Sequence, residues 1–166
     1  TSAPDGLVNG VVELVVGQNA RLRLVDLQDL EESTWVFGTQ RATVGRDGSL
    51  DWITLGFGSA NGKVFQETQL AGAGAHGSVT GAYATRGRQH IDFDTLQEHA
   101  APDTTSDLAF RGILADRSSA VWRGMIQVDK AITSATSVTP SKLSLGEGNG
   151  ASASITVRNG GSSAVT

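Results

Sequence analysis

The chain has 166 residues, a formal net charge of −4 at pH 7, 21 glycines and no cysteine. This length suits one domain with a sizeable core, and the absence of cysteine excludes disulfides and thiolate chemistry by this chain. The mixed charge shows no basic stripe and no apolar run reaches the length of a membrane span, so neither nucleic acid nor a membrane is expected as a partner.

Turn signals and short apolar runs recur along the whole chain. Strands are predicted over residues 11–16, 22–27, 35–37, 50–55, 90–93 and 120–128. Two series of turns separate them, at Ala20, Gly48, Ala75 and Pro102 and at Glu32, Ala60, Gly87 and Arg117. Both series recur about every 28 residues, which is typical of a stacked repeat.

Stacking implies that equivalent positions of successive coils form apolar columns. The two predicted columns are Leu24, Trp52, Val79 and Leu108, and Val36, Val64, Ile91 and Val121. These columns favour an all-β fold, a β-helix with two strands per coil. The alternative is an antiparallel sandwich with meander connections.

Residues 89–107 hold two of the three histidines of the chain. In an extended strand His90, Asp92 and Asp94 share one face. With His99 nearby, this stretch is a candidate metal site, a candidate catalytic site or a polar outer face. A metal site would use His90, Asp92 and His99, ligands that suit iron, zinc or manganese. A two-residue step separates side chains by about 6–7 Å, which is long for a shared ion and favours the outer face.

Signals for catalysis are weak elsewhere. No Gly-x-Ser-x-Gly elbow is followed by an acid and a base. The glycine-rich run around His76 carries no lysine and precedes no predicted helix, unlike a phosphate-binding loop. We therefore expect no enzymatic activity.

Several segments together resemble one protein family. In chain order they are residues 7–13 (LVNGVVE), 45–53 (GRDGSLDWI), 89–92 (QHID), 98–102 (EHAAP), 105–107 (TSD), 111–116 (RGILAD) and 120–124 (AVWRG). The combination resembles the core of the SufB/SufD family, over about residues 7–132. The EHAAP turn and Trp122 are closer to SufD than to SufB.

This resemblance implies a right-handed parallel β-helix. It also implies a cytoplasmic scaffold that pairs with SufB and is carried on the ATPase SufC, in a complex that assembles iron–sulfur clusters. SufD is a scaffold partner in that complex, so the resemblance implies no resident cofactor, with iron or a cluster bound only by the full-length complex.

The resemblance stops after Ile132, and residues 133–166 are rich in Ser, Thr and Gly. We expect residues 1–132 to form a partial SufD-like core and residues 133–166 a strand-forming tail. The tail is similar to one edge of an immunoglobulin-like domain, which favours a fused segment, engineered or recombined, without native activity. Alternatively it continues the stack, with a turn at residues 146–150.

Three functions therefore stay open from the sequence. They are a scaffold of iron–sulfur cluster assembly, a small His/Asp metal-binding protein and a secreted strand-rich binding module. The uncovered ends of a β-helix also predict self-association.

Overall fold

The computed structural model of the chain describes residues 6–129, 136–145 and 150–159. Every regular element of these residues is a β-strand, and none of their segments is a helix that could cross a membrane. The strands are β1 (Gly6–Val16), β2 (Arg21–Gln28), β3 (Thr34–Val44), β4 (Ser49–Gly56), β5 (Asn61–Leu70), β6 (His76–Thr85), β7 (His90–His99), β8 (Thr105–Leu114), β9 (Ser119–Val128), β10 (Thr136–Leu145) and β11 (Gly150–Asn159).

The strands form two sheets that share each coil of the chain. The odd-numbered strands lie in the order β1-β3-β5-β7-β9, and the even-numbered strands β2, β4, β6 and β8 are neighbours in the second sheet. All these neighbours are parallel and one coil apart. The predicted stack of coils with two strands each is confirmed, and the antiparallel sandwich is wrong.

Side chains alternate strictly between the core and the outside in the central coils. In β5, β6 and β7 every second residue is buried, as expected for strands with one covered face. The inward residues of the two sheets meet in one apolar core, whose largest fully buried members include Trp52, Phe93 and Phe110.

The corners between strands stack as well. At one corner Asn19, Asp47, Gly74 and Asp103 each adopt a positive φ. Asparagine, aspartate and glycine tolerate this left-handed conformation better than other residues. Backbone hydrogen bonds join these corners from coil to coil, for example from the Asp47 amide to the Ala73 carbonyl at 3.0 Å.

One predicted column is confirmed and the other is wrong. Leu24, Trp52, Val79 and Leu108 are direct neighbours in the even-numbered sheet. In the odd-numbered sheet, Val36 lies beside Gly62 and Val64 lies between Gly38 and Phe93.

The second column failed because the coils differ in length. The step from Trp35 to its neighbour Asn61 is 26 residues, whereas the step from Asn61 to His90 is 29 residues. Val121 lies beside Asp92 on the opposite face from Ile91, so it does not belong to an inward column.

The tail adds two antiparallel strands to the even-numbered sheet. Strand β11 pairs with β8, and β10 pairs with β11. The predicted strand-rich appendage is confirmed, but its strands do not continue the parallel coil. The predicted boundary at Ile132 and most of the predicted turn at residues 146–150 lie outside the described residues, as do residues 160–166.

Candidate functional site

The His/Asp stretch forms β7, which lies between β5 and β9 in the odd-numbered sheet. His90, Asp92 and Asp94 are directed outward, as predicted, because they alternate with the buried Ile91 and Phe93. The strand runs on to His99, which the same alternation places on the inner face.

His99 is fully buried and has a partner for each ring nitrogen. Its Nδ1 lies 2.7 Å from Thr104 Oγ1, and its Nε2 lies 2.9 Å from Ser106 Oγ. Burial lowers the pKa of His99, and the hydrogen bond with Thr104 opposes this only in part. A neutral imidazole with both nitrogens engaged serves to join β7 to the start of β8.

The structure does not assemble the predicted metal site from His90, Asp92 and His99. The two histidines stand at opposite ends of β7, about 30 Å apart for nine strand steps, and on opposite faces. His90 Nδ1 instead lies 2.8 Å from Ser119 Oγ. The described residues contain no group of three or more His, Asp or Glu side chains that could hold a metal ion.

The outward carboxylates belong to a cluster of four charges, here called the outer charge cluster: Lys63, Asp92, Asp94 and Arg123. Lys63 Nζ donates to Asp92 Oδ2 at 2.7 Å and also to Asp94. Arg123 donates from Nε and Nη2 to Asp94, the Nη2 contact measuring 2.8 Å, and its Nη2 lies 3.3 Å from Asp92. The cluster joins β5, β7 and β9 across the outer face.

These contacts stabilise the charged form of every member whose pKa is shifted. Hydrogen bonds from Arg123, followed by those from Lys63, outweigh desolvation and hold the pKa of Asp94 at about 2. For Lys63, desolvation lowers the pKa, but hydrogen bonds to Asp92 and Asp94 outweigh it and the net pKa is raised. The pKa of Arg123 is also raised, chiefly by its hydrogen bonds to Asp94. The carboxylates are therefore committed to internal cations.

We expect the outer charge cluster to make stability depend on pH in acid. The pKa of Asp94 falls from 3.8 to about 2 on folding, so its contribution is present above about pH 4 and is lost as the pH falls towards 2. The contribution is about 1–2 kcal/mol because Asp94 is largely shielded from solvent. Urea unfolding near pH 6 and near pH 2.5 should show a larger loss for the wild type than for Asp94→Asn. Equal losses would contradict this role.

His99 predicts a second pH dependence in a different range. Because its pKa is lower in the folded chain than the ordinary 6.5, the unfolded chain binds a proton first as the pH falls. Stability should therefore fall as the pH drops below about 6.5. The loss between about pH 7.5 and pH 5 should be larger for the wild type than for His99→Gln, as measured by urea midpoints. An equal loss in His90→Gln and wild type is the matched control.

A groove of about 750 Å³ lies beside the outer charge cluster. Its apolar wall includes Phe65, Leu96 and Met125, and the side of the cluster is formed by Asp94 and Arg123. Phe65 and Met125 are 50% and 58% exposed. Exposed apolar side chains around a paired charge cluster suit a protein contact better than a reaction centre.

Sequence reasoning missed the two cations of the outer charge cluster. Lys63 was aligned with His90 by a 27-residue step, whereas it lies beside Asp92 with a step of 29. Arg123 lies beside Asp94 with the same step. A search for opposite charges 29 residues apart would have found both pairs.

With this geometry in hand, comparison with known proteins becomes informative. The family model described as SUF system FeS cluster assembly, SufBD core domain, matches residues 1–153. The chain belongs to the SufBD core family. The SufBD match extends beyond residue 132, through β10 and into β11, although the resemblance seen in the sequence ended there.

Curated SufBD relatives agree with this assignment at low identity. Iron–sulfur cluster assembly SufBD family proteins of Mycobacterium tuberculosis and Mycobacterium leprae are 27% and 29% identical to this chain, over 76% of it in each case. One from Staphylococcus saprophyticus is 29% identical over 74% of this chain. The matched part spans only 15%, 14% and 26% of these three relatives, respectively. No solved structure gives a significant match.

Proposed function

We propose that this SufBD chain is a non-catalytic scaffold component of the SUF system, with a role like that of SufD. In this proposal it pairs with SufB, is carried on SufC in the cytoplasm and positions partners while a cluster is built. Iron and the cluster are cargo of the full complex rather than resident cofactors of this chain. The observation that carries the proposal is the SufBD core match across the coils of the β-helix.

The chemistry of the side chains supports a scaffold over a cluster-binding protein. The chain has no cysteine, the residue that supplies most protein ligands of iron–sulfur clusters. The carboxylates of the outer charge cluster are paired with Lys63 and Arg123. Exposed apolar groups such as Phe65 and Met125 offer contact area to a protein partner.

Co-expression with SufB and SufC tests the proposal. We expect the tagged full chain to co-purify with both partners in a fixed ratio, measured by light scattering after size exclusion. The chain alone, given iron and sulfide, should show no visible absorption of a bound cluster. A chain that binds neither SufB nor SufC, or one that alone holds a stable cluster, would contradict the scaffold role.

A His90→Ala variant separates the scaffold from a His/Asp metal-binding protein. The His90 ring contacts Ser119 and is part of no three-ligand group in the described residues. We expect the variant to bind SufB and SufC as the wild type does, with no change in a titration with iron or zinc. Stoichiometric metal binding that is lost in the variant would favour the metal-binding function instead.

A further inference from the structure

The first coil of the stack has an uncovered end. Among the described strands, β1 and β2 are the outermost members of their sheets and each pairs on one side only. The inward residues Val8 and Val12 are 42% and 36% exposed, whereas Val36 and Gln40, one coil further in, are 7% and 8% exposed. The end therefore presents apolar side chains and strand edges ready for pairing.

This end also contains a cavity of about 210 Å³. Gly10 and Gly38 are neighbours and line it, and a Cβ atom at Gly10 would have nothing within 4 Å. Along the same column the deeper coils carry Val64, Phe93 and Trp122. The column is thus hollow at the first coil and filled further in.

A carboxylate lies on the inner face of this end. Asp26 faces Gln40 across the cavity, and Gln40 Nε2 donates to Asp26 Oδ2 at 2.5 Å. Gln40 is 92% buried (8% exposed), and its Oε1 has no hydrogen-bond donor in the described part of the chain. The polar groups of this end therefore offer acceptors and leave a donor to be supplied.

The next coil shows what a covered version of this pair contains. The neighbour of Asp26 in β4 is Thr54, which accepts a hydrogen bond from Gln66 at 3.0 Å. A neutral hydroxyl thus occupies the position that Asp26 holds at the end. Covering a carboxylate without a cation or donors is costly, so whatever covers Asp26 has to bring a positive group.

We propose that the open end of the first coil is a docking surface for an extended segment of a partner polypeptide, which pairs with the edges of β1 and β2 and places a lysine or arginine over Asp26. Its apolar side chains cover Val8 and Val12, and its basic group donates to Asp26. The inference stands on this end alone and does not depend on a role in cluster assembly.

A second copy of this chain is a poorer occupant of the surface. In a two-fold contact the same patch meets itself. Such a contact would bring two Asp26 carboxylates into one buried interface, where like charges destabilise each other. Charge complementarity therefore selects a basic partner and disfavours end-to-end pairing of two copies.

Synthetic peptides can probe the surface directly. The probe has the sequence of residues 48–57, because β4 already pairs with β2 and places Thr54 beside Asp26. It carries Thr54→Lys, and the matched control peptide carries Thr54→Glu. Binding to the full isotope-labelled chain is followed by amide chemical shifts. We expect the Lys peptide to bind about tenfold more tightly than the Glu peptide, with shifts confined to β1 and β2.

An Asp26→Asn variant completes the test, since asparagine can still accept the hydrogen bond from Gln40. In this variant the preference for the Lys peptide should disappear while the fold, monitored by the remaining amide signals, is retained. A Lys preference that survives Asp26→Asn, shifts elsewhere on the chain, or no binding of the Lys peptide would overturn the proposal. So would a concentration-dependent dimer of the wild type that protects the β1 and β2 amides, because a second copy would then be the occupant.

Discussion

Replacing Phe110 by alanine is expected to lower the free energy of unfolding by about 3–5 kcal/mol. Phe110 is 1% exposed and lies in a row of aromatic rings, with centroids 5.7 Å from Phe93 and 5.0 Å from Trp122. Its ring also covers Gly81, where an added Cβ would come within 2.0 Å of it. Removing the ring leaves a cavity that joins three successive coils. Urea unfolding measures the loss.

Phe65→Ala is the matched control for this substitution. Phe65 has the same side chain on the outer face of the same stack, 50% exposed, with its ring 4.7 Å from Lys63 Nζ. Its loss should cost at most about 1 kcal/mol. If the two phenylalanines cost the same, the aromatic row would not be the centre of the core.

Gly72→Ala is expected to destabilise the chain by about 3 kcal/mol, although it adds a single methyl group. An alanine Cβ at this corner would lie 2.0 Å from the backbone nitrogen of Arg46 and 2.4 Å from the carbonyl carbon of Gly45. Both atoms belong to the corner of the preceding coil, which is fixed by the hydrogen bond from the Gly72 amide to the Val44 carbonyl at 3.1 Å. Because backbone atoms cannot rotate away, the two coils must separate. Thermal unfolding followed by circular dichroism would detect the change.

Gly10→Ala provides the opposite outcome at another glycine. A Cβ at Gly10 meets nothing within 4 Å, and Gly10 lies inside β1. Alanine should leave stability unchanged or raise it by about 0.5 kcal/mol, since glycine loses more conformational entropy on folding. A similar loss in both variants would show that the spacing of the corners is not the cause.

The architecture could be predicted from the sequence because the turn signals repeat. The column through Leu24, Trp52, Val79 and Leu108 followed directly from that period. The second column failed because an average period hides the length of individual coils: β4 has 8 residues and β6 has 10. Sequence patterns do not show which strand carries the two extra residues, since an outward or inward pair can be added without breaking the alternation.

The candidate site was predictable only in part, for the same reason. Alternation placed His90, Asp92 and Asp94 outward correctly. It would also have placed His99 inward, had β7 been predicted to run to its observed end. The partners Lys63 and Arg123 depend on the 29-residue steps of the third and fourth coils, which the average period does not give. Paired charges across strands therefore looked like free ligands.

The pairing of each strand only with strands one coil away has a consequence for how the chain opens. Among the described strands, those of the first coil have neighbours on one side, whereas β5 and β6 have neighbours on both sides. Stability in such a stack is a sum over adjacent coils. Amide protons of β1 and β2 should therefore exchange with solvent through local fraying, while those of β5 and β6 exchange only when several coils open together. A partner that holds the first coil would slow the exchange of coils that it never touches.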